Sequence, residues 1–150
     1  MAGAVIAPGQ KAREADKITL PAMPHGARFR DWKRRIRDKI CGASGRPEQA
    51  FTWIMNVDDL TYNDLRESDG FSSLDCKLSA AISDILTGDL ERRIGVLKEK
   101  AAKDGYLMKG RQALHVIYEH YRVAEADGAV LEFEDLTGIK MRNNNLEEFT

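Results

Sequence analysis

The sequence predicts an all-α protein, a compact domain of about five to seven helices behind a disordered or extended leader. Apolar residues recur at steps of three and four from Phe29 to Tyr121, the period of a helix with one buried face. Pro47, Gly70, Gly88 and Gly105 punctuate those runs. No stretch alternates with period two for long enough to make a strand, and no repeat recurs at a fixed period.

The organising stretch is Phe71 to Leu86, FSSLDCKLSAAISDIL. Phe71, Leu74, Leu78, Ala81, Ile82 and Ile85 share one helical face. Ser72 or Ser73 is expected to cap its start, Asp75 suits the first turn, and Gly88 ends it. Ala80 and Ala81 allow a neighbouring helix to approach closely. This helix is expected to be the central post of the domain.

Residues 1–27 hold three of the four prolines, Pro8, Pro21 and Pro24, and have no helical period. They read as a flexible leader, with ITLPAMPHGA an extended arm entering the domain of residues 28–150. The first helix spans about Arg28 to Cys41. Phe29, Trp32, Ile36 and Ile40 form its apolar stripe, and Arg30, Lys33, Arg34, Arg35, Arg37 and Lys39 line the opposite side. Pro47 suits the first position of a second helix. There Phe51 and Ile54 or Met55 are expected to face inward, with Trp53 unassigned. Leu60 and Leu65 suggest a short helix ending near Ser68-Asp69-Gly70. A fourth major segment runs from an Asp89 N-cap to Lys103, buries Leu90, Ile94, Leu97 and Ala101, and stops at Gly105. A fifth runs from Lys109 to Val123 with Leu114, Ile117, Tyr118 and Tyr121 inside. Asp127-Gly128 predicts a turn and Leu131–Met141 a further helix. The asparagines at 143–145 could cap one more, so the chain reads as truncated at its C-terminus or as one segment of something longer.

At 150 residues there is room for one domain with a real core. No apolar run approaches the roughly 20 residues of a membrane span, and the first residues lack the pattern of a signal peptide. Cys41 and Cys76 read as reduced residues of an intracellular, cytoplasmic protein. Net charge is −1 but unevenly spread. Residues 1–46 carry 11 Lys or Arg against 4 Asp or Glu, a balance of +7; residues 47–150 carry 12 against 20, a balance of −8. Such a split suits a nucleic-acid contact, docking between copies, or two solvated faces.

Nothing in the sequence converges on catalysis. His115, Glu119 and His120 are spaced one residue too long for the inverted zinc-protease signature. On a helix the two histidines point about 140° apart, too far to share a metal. Lys109-Gly110-Arg111 lacks the frame of a phosphate loop. Ser72 and Ser73 have no nucleophile elbow. No cofactor and no small-molecule substrate are implied. The basic side of the first helix is the best candidate for RNA contact or for a contact between subunits.

Five segments in order, FRDWKRRI, GRPEQAFTWI, FSSLDCKLSAAISDILTGDLERRI, KEKAAKDGYLMKGRQALHVIYEHY and FEDLTGIKMRNNNLEEF, resemble the Gag region of copia-type LTR retrotransposons. The matching positions are the aromatic pair Phe29 and Trp32 and the L-D-x-K-L run Leu74–Leu78. Gly110, Leu114, Ile117 and Tyr121 then form a G-x-x-x-L-x-x-I-x-x-x-Y run, and Leu146–Phe149 an L-x-x-F close. The resemblance covers about residues 18–150. It implies a capsid-like helical domain, not an enzyme, whose copies form a homo-oligomeric shell around the element's RNA. No protease triplet, integrase zinc module, polymerase Y-x-D-D or RNA-gripping cysteine knuckle occurs in these residues. The competing expectation is a co-opted fragment, a helical adaptor that binds one host protein without assembling.

Overall fold

A computed structural model describes the backbone of residues 13–137 and the side chains of residues 13–125. The described residues are helical without strands. Five α-helices follow in order: α1 (Phe29–Ala43), α2 (Pro47–Met55), α3 (Ser72–Ile85), α4 (Gly88–Lys103) and α5 (Gly110–Thr137). Short 3₁₀ turns lie at Gly26–Arg28, Asn56–Asp58 and Asp64–Arg66. The chain divides into two units, Met1–Ile117 and Tyr118–Thr150, so α5 gives its first turns to one and the rest to the other.

In the first unit the apolar stripes are buried as their spacing predicts. Trp32, Ile36 and Ile40 are buried on α1, with Phe29 stacked on Trp32 at 5.9 Å and half-covered. On α3, Leu74, Leu78, Ala81 and Ile82 are buried, while Ile85 is half-buried and Ala80 is exposed. Leu90, Ile94 and Ala101 are buried on α4, where Leu97 is only half-buried, and Leu114 and Ile117 are buried on α5. Tyr121, in the second unit, is half-buried.

Helix α2 is the correction. Ala50, Trp53, Ile54 and then Val57 are buried, an i, i+3, i+4, i+7 stripe that turns Phe51 away. Phe51 is 51% exposed, not a core residue. Trp53 takes the inner place because its indole N–H donates to the Ser68 carbonyl at 2.7 Å and its ring meets Phe71 at 5.0 Å.

The helix ends differ in part from expectation. Neither Ser72 nor Ser73 caps α3: Phe71 holds the N-cap position without a side-chain bond, and Ser73 donates to Glu14 instead. Asp89 lies inside the first turn of α4 and pairs with Arg92, leaving Thr87 at the cap. Gly88 opens α4 rather than ending α3, whose C-cap is Leu86. Gly105 does end α4. At φ +86° it occupies the left-handed region, donates to the Ala102 carbonyl, and lets Tyr106 reach back to Ala101. That pair of bonds satisfies the last carbonyls of the helix.

Helix α5 continues through Asp127-Gly128, where the sequence predicted a turn, and takes in the start of the Leu131–Met141 segment. One glycine costs a helix only about 1 kcal/mol, and the residues around it do not oppose helix. Residues 138–141 and the Leu146–Phe149 run lie outside the described residues, as do the side chains of Phe133 and Leu136.

The arm before α1 is extended and seated. The Ala15 amide donates to the Ala43 carbonyl at 2.8 Å, at the end of α1. Six residues later the Pro21 carbonyl accepts from the Trp32 indole at 3.2 Å, near its start. The arm therefore runs antiparallel beside α1: six extended residues reach about 20 Å and eleven helical residues about 17 Å. Ile18 and Leu20 between them are buried, core residues that the sequence assigned to the leader.

Gly110 is where α5 comes closest to α3. A Cβ there would stand 2.6 Å from the Asp75 carbonyl oxygen and 2.7 Å from the Leu78 Cβ. The obstacle includes backbone, which cannot rotate aside. Gly110→Ala is therefore expected to destabilise the protein by about 1–3 kcal/mol, the usual cost of overpacking. Urea titration checks this: a midpoint at or above that of the parent would mean that the two helices are free to separate.

Candidate interaction surface

The six basic residues singled out on α1 divide into two groups. Arg30, Arg34, Arg35 and Lys39 are exposed. Lys33 and Arg37 are half-covered and engaged with the chain that follows: Lys33 Nζ lies 2.7 Å from Asp58, and Arg37 Nη1 lies 3.0 Å from the Met55 sulfur. Arg34 pairs with Asp31 one turn away at 2.6 Å. The outer edge available to another molecule is thus Arg35 and Lys39, one turn apart, while Arg30 lies about 140° or more round the helix from both and Arg34 is partly neutralised. A groove of about 290 Å³ borders it, lined by Pro21, Met23, Pro24, Arg28, Trp32 and Arg35.

An acidic surface lies on the segment joining α2 to α3. Residues 58–69 carry Asp58, Asp59, Asp64, Glu67 and Asp69 against Arg66, and all of these are exposed. Arg66 is stacked on the Tyr106 ring at 3.7 Å, so its charge is held against α4's end. The charge split read from the sequence therefore appears as two surface regions joined by one ion pair, Lys33–Asp58.

The densest polar cluster is internal. Arg111, fully buried, sends Nη1 to the Trp53 carbonyl at 2.9 Å and Nη2 to the Glu67 carbonyl at 2.7 Å. Nη2 also reaches Asp69 at 3.2 Å, and the guanidinium lies 4.8 Å from the Trp53 ring. The Arg111 amide donates to one Asp75 oxygen at 2.9 Å and the Ser68 hydroxyl to the other at 2.8 Å. Burial pushes the Asp75 carboxyl above the usual carboxylate range, against the pull of the Arg111 amide, the Ser68 hydroxyl and the Arg111 and Lys109 charges. Arginine, aspartate and serine together resemble a reactive constellation, but their polar atoms are turned on one another and on backbone, except Arg111 Nε, which is buried without a hydrogen-bond partner. The cluster ties the 56–70 segment to α3 and α5. Sequence reasoning missed it because a single arginine in Lys109-Gly110-Arg111 reads as surface charge. The signal that could have found it is position: Arg111 sits three residues before Leu114 on the inward stripe of α5.

His115 and His120 lie in one continuous helix, with His115 beside the Tyr62 ring at 6.3 Å and His120 edge-on to Tyr121 at 5.2 Å. Among the described residues no three His, Cys, Asp or Glu side chains are grouped as metal ligands. No helix among them is long and apolar enough to cross a membrane. Cys41 and Cys76 are free thiols. No family model, curated protein or solved structure matches the chain.

Proposed function

We propose that this chain is a Gag-like structural protein of the copia type, not an enzyme, and that its copies associate into a particle around RNA. The observation that carries the reading is the order of the matching segments over residues 18–150, from Phe29 and Trp32 to Tyr121 and beyond. The all-α fold agrees with it. The two charged regions supply a means: the Arg35–Lys39 edge of one copy faces the 58–69 segment of the next. A contact between unlike surfaces does not close after two copies and so can propagate. Exposed ion pairs are worth only about 0–1 kcal/mol each, so assembly is weak per contact and concentration-dependent. It also weakens with salt, because exposed charges are screened within about 10 Å at 0.1 M.

Light scattering across a salt series, with and without RNA, tests this on the parent and on a variant with Arg35 and Lys39 changed to glutamate. Lys33 is left alone, since a carboxylate there would face Asp58. The parent is expected to form particles at high protein concentration, more readily at low salt. If the edge binds RNA, RNA lowers the threshold for the parent and not for the variant. If the edge binds a neighbour, the variant fails even without RNA. A monomer under every condition, with no RNA retained, would overturn the reading in favour of an adaptor that binds one host protein.

A further inference from the structure

The arm of residues 13–21 is fixed to the domain by a short, separable set of contacts. At its outer end the Glu14 carboxylate lies 2.6 Å from Lys77 Nζ and accepts from Ser73 at 2.7 Å. Lys77 also donates to the Ala15 carbonyl at 2.8 Å, and the Ala15 amide bonds to Ala43. Ile18 and Leu20 are the two apolar anchors, and the Pro21 carbonyl is the last tether. The hydrogen-bond and ion-pair partners, Ala43, Trp32, Ser73 and Lys77, belong to α1 or α3.

Between the last tether and α1 lie Ala22 to Arg28. Ala22 and residues 25–28 are exposed, and Pro21 and Pro24 hold the backbone extended on either side of Met23. Gly26–Arg28 close a 3₁₀ turn, so the four extended residues and this turn reach about 19 Å, the span open to an arm leaving its own seat.

We infer that the seat of the arm is an interaction surface whose partner is the same arm from a second copy of the chain: neighbouring subunits exchange residues 13–21 when they assemble. Exchange leaves each contact unchanged, so the two arrangements differ chiefly in concentration and in the backbone of the hinge. A short tether presents the arm to its own seat at an effective concentration on the order of millimolar. Dilute chains therefore keep their arms, and packed subunits, at comparable local concentration, share them. The exchange rests on the self-association proposed above, and it links subunits through apolar anchors that salt does not screen.

The test uses the full chain with Cys41 and Cys76 changed to serine. One chain carries Ala15→Cys, another Ala43→Cys, and a third carries both. Under mild oxidation the double variant is expected to close within one chain when dilute, since the two backbones are directly bonded. An equimolar mixture of the single variants is expected to yield the mixed 15–43 disulfide, read by peptide mass spectrometry, once scattering shows particles, and none when dilute. Particles without the mixed disulfide would overturn arm exchange and leave self-association standing. No particles and no mixed disulfide at any concentration would overturn both. A mixed disulfide formed equally in the dilute sample would overturn the link between exchange and assembly, and a double variant that stays open when dilute would overturn the seat itself.

Discussion

Arg111→Ala is expected to be among the most destabilising single substitutions in this chain, at about 3–5 kcal/mol, the combined cost of orphaned acceptors and of removing a large, fully buried side chain. Three losses coincide. The carbonyls of Trp53 and Glu67 lose their donors inside the protein, and a buried acceptor left without a donor costs about 1–3 kcal/mol. The space under the Trp53 ring, filled by the guanidinium, becomes a cavity. Asp69, whose φ of +52° already lies in the left-handed region, loses its ion pair. Lysine cannot serve both carbonyls at once, because an ammonium lacks the planar fork. Thermal melting checks the prediction. A loss of this size moves Tm down by roughly 10 °C, and a variant melting within about 2 °C of the parent would show that the segment before α3 is held by other means. Arg111→Lys should fall between the two.

Leu78→Ala is expected to cost about 2–5 kcal/mol, the range for truncating a buried leucine. Leu78 is fully buried at mid-α3, and its Cβ and Cγ stand where Gly110 brings α5 close. The closeness of that approach limits collapse around the cavity, which places the loss toward the upper part of the range. Urea unfolding measures it: an unchanged midpoint with an unchanged slope would remove α3 from the centre of the fold.

What the sequence made legible follows from how local each signal is. The α1 and α3 stripes and the stop at Gly105 depend on residues within a few turns of one another, and they are where the period puts them. The inward face of α2 was not legible, because nine residues with apolar groups on two sides do not choose between Phe51 and Trp53. The choice is made by the Ser68 carbonyl and the Phe71 ring, 15 and 18 residues further on. Ile18 and Leu20 sit between prolines in a segment with no helical period, and only the folded chain shows that they are buried. Arg111 shows the same limit from the polar side: its acceptors are carbonyls, which every residue carries and no sequence marks. The basic edge of α1 was legible as charge, but which of its members are taken, Lys33 by Asp58 and Arg37 by Met55, depends on the turn after α2.

The bond from the Arg111 amide to Asp75 spans 36 residues of chain. During synthesis at about 5–20 residues per second, roughly 2–7 s separate the two ends. For that interval α3 has left the ribosome while its buried carboxylate, the groove that receives Gly110 and the carbonyls of Trp53 and Glu67 all wait for partners not yet made. The nascent protein is thus an incomplete domain with α1, α2 and α3 present and their inner faces open. The missing partners arrive with the first turn of α5, which supplies the glycine that fits and the arginine that binds.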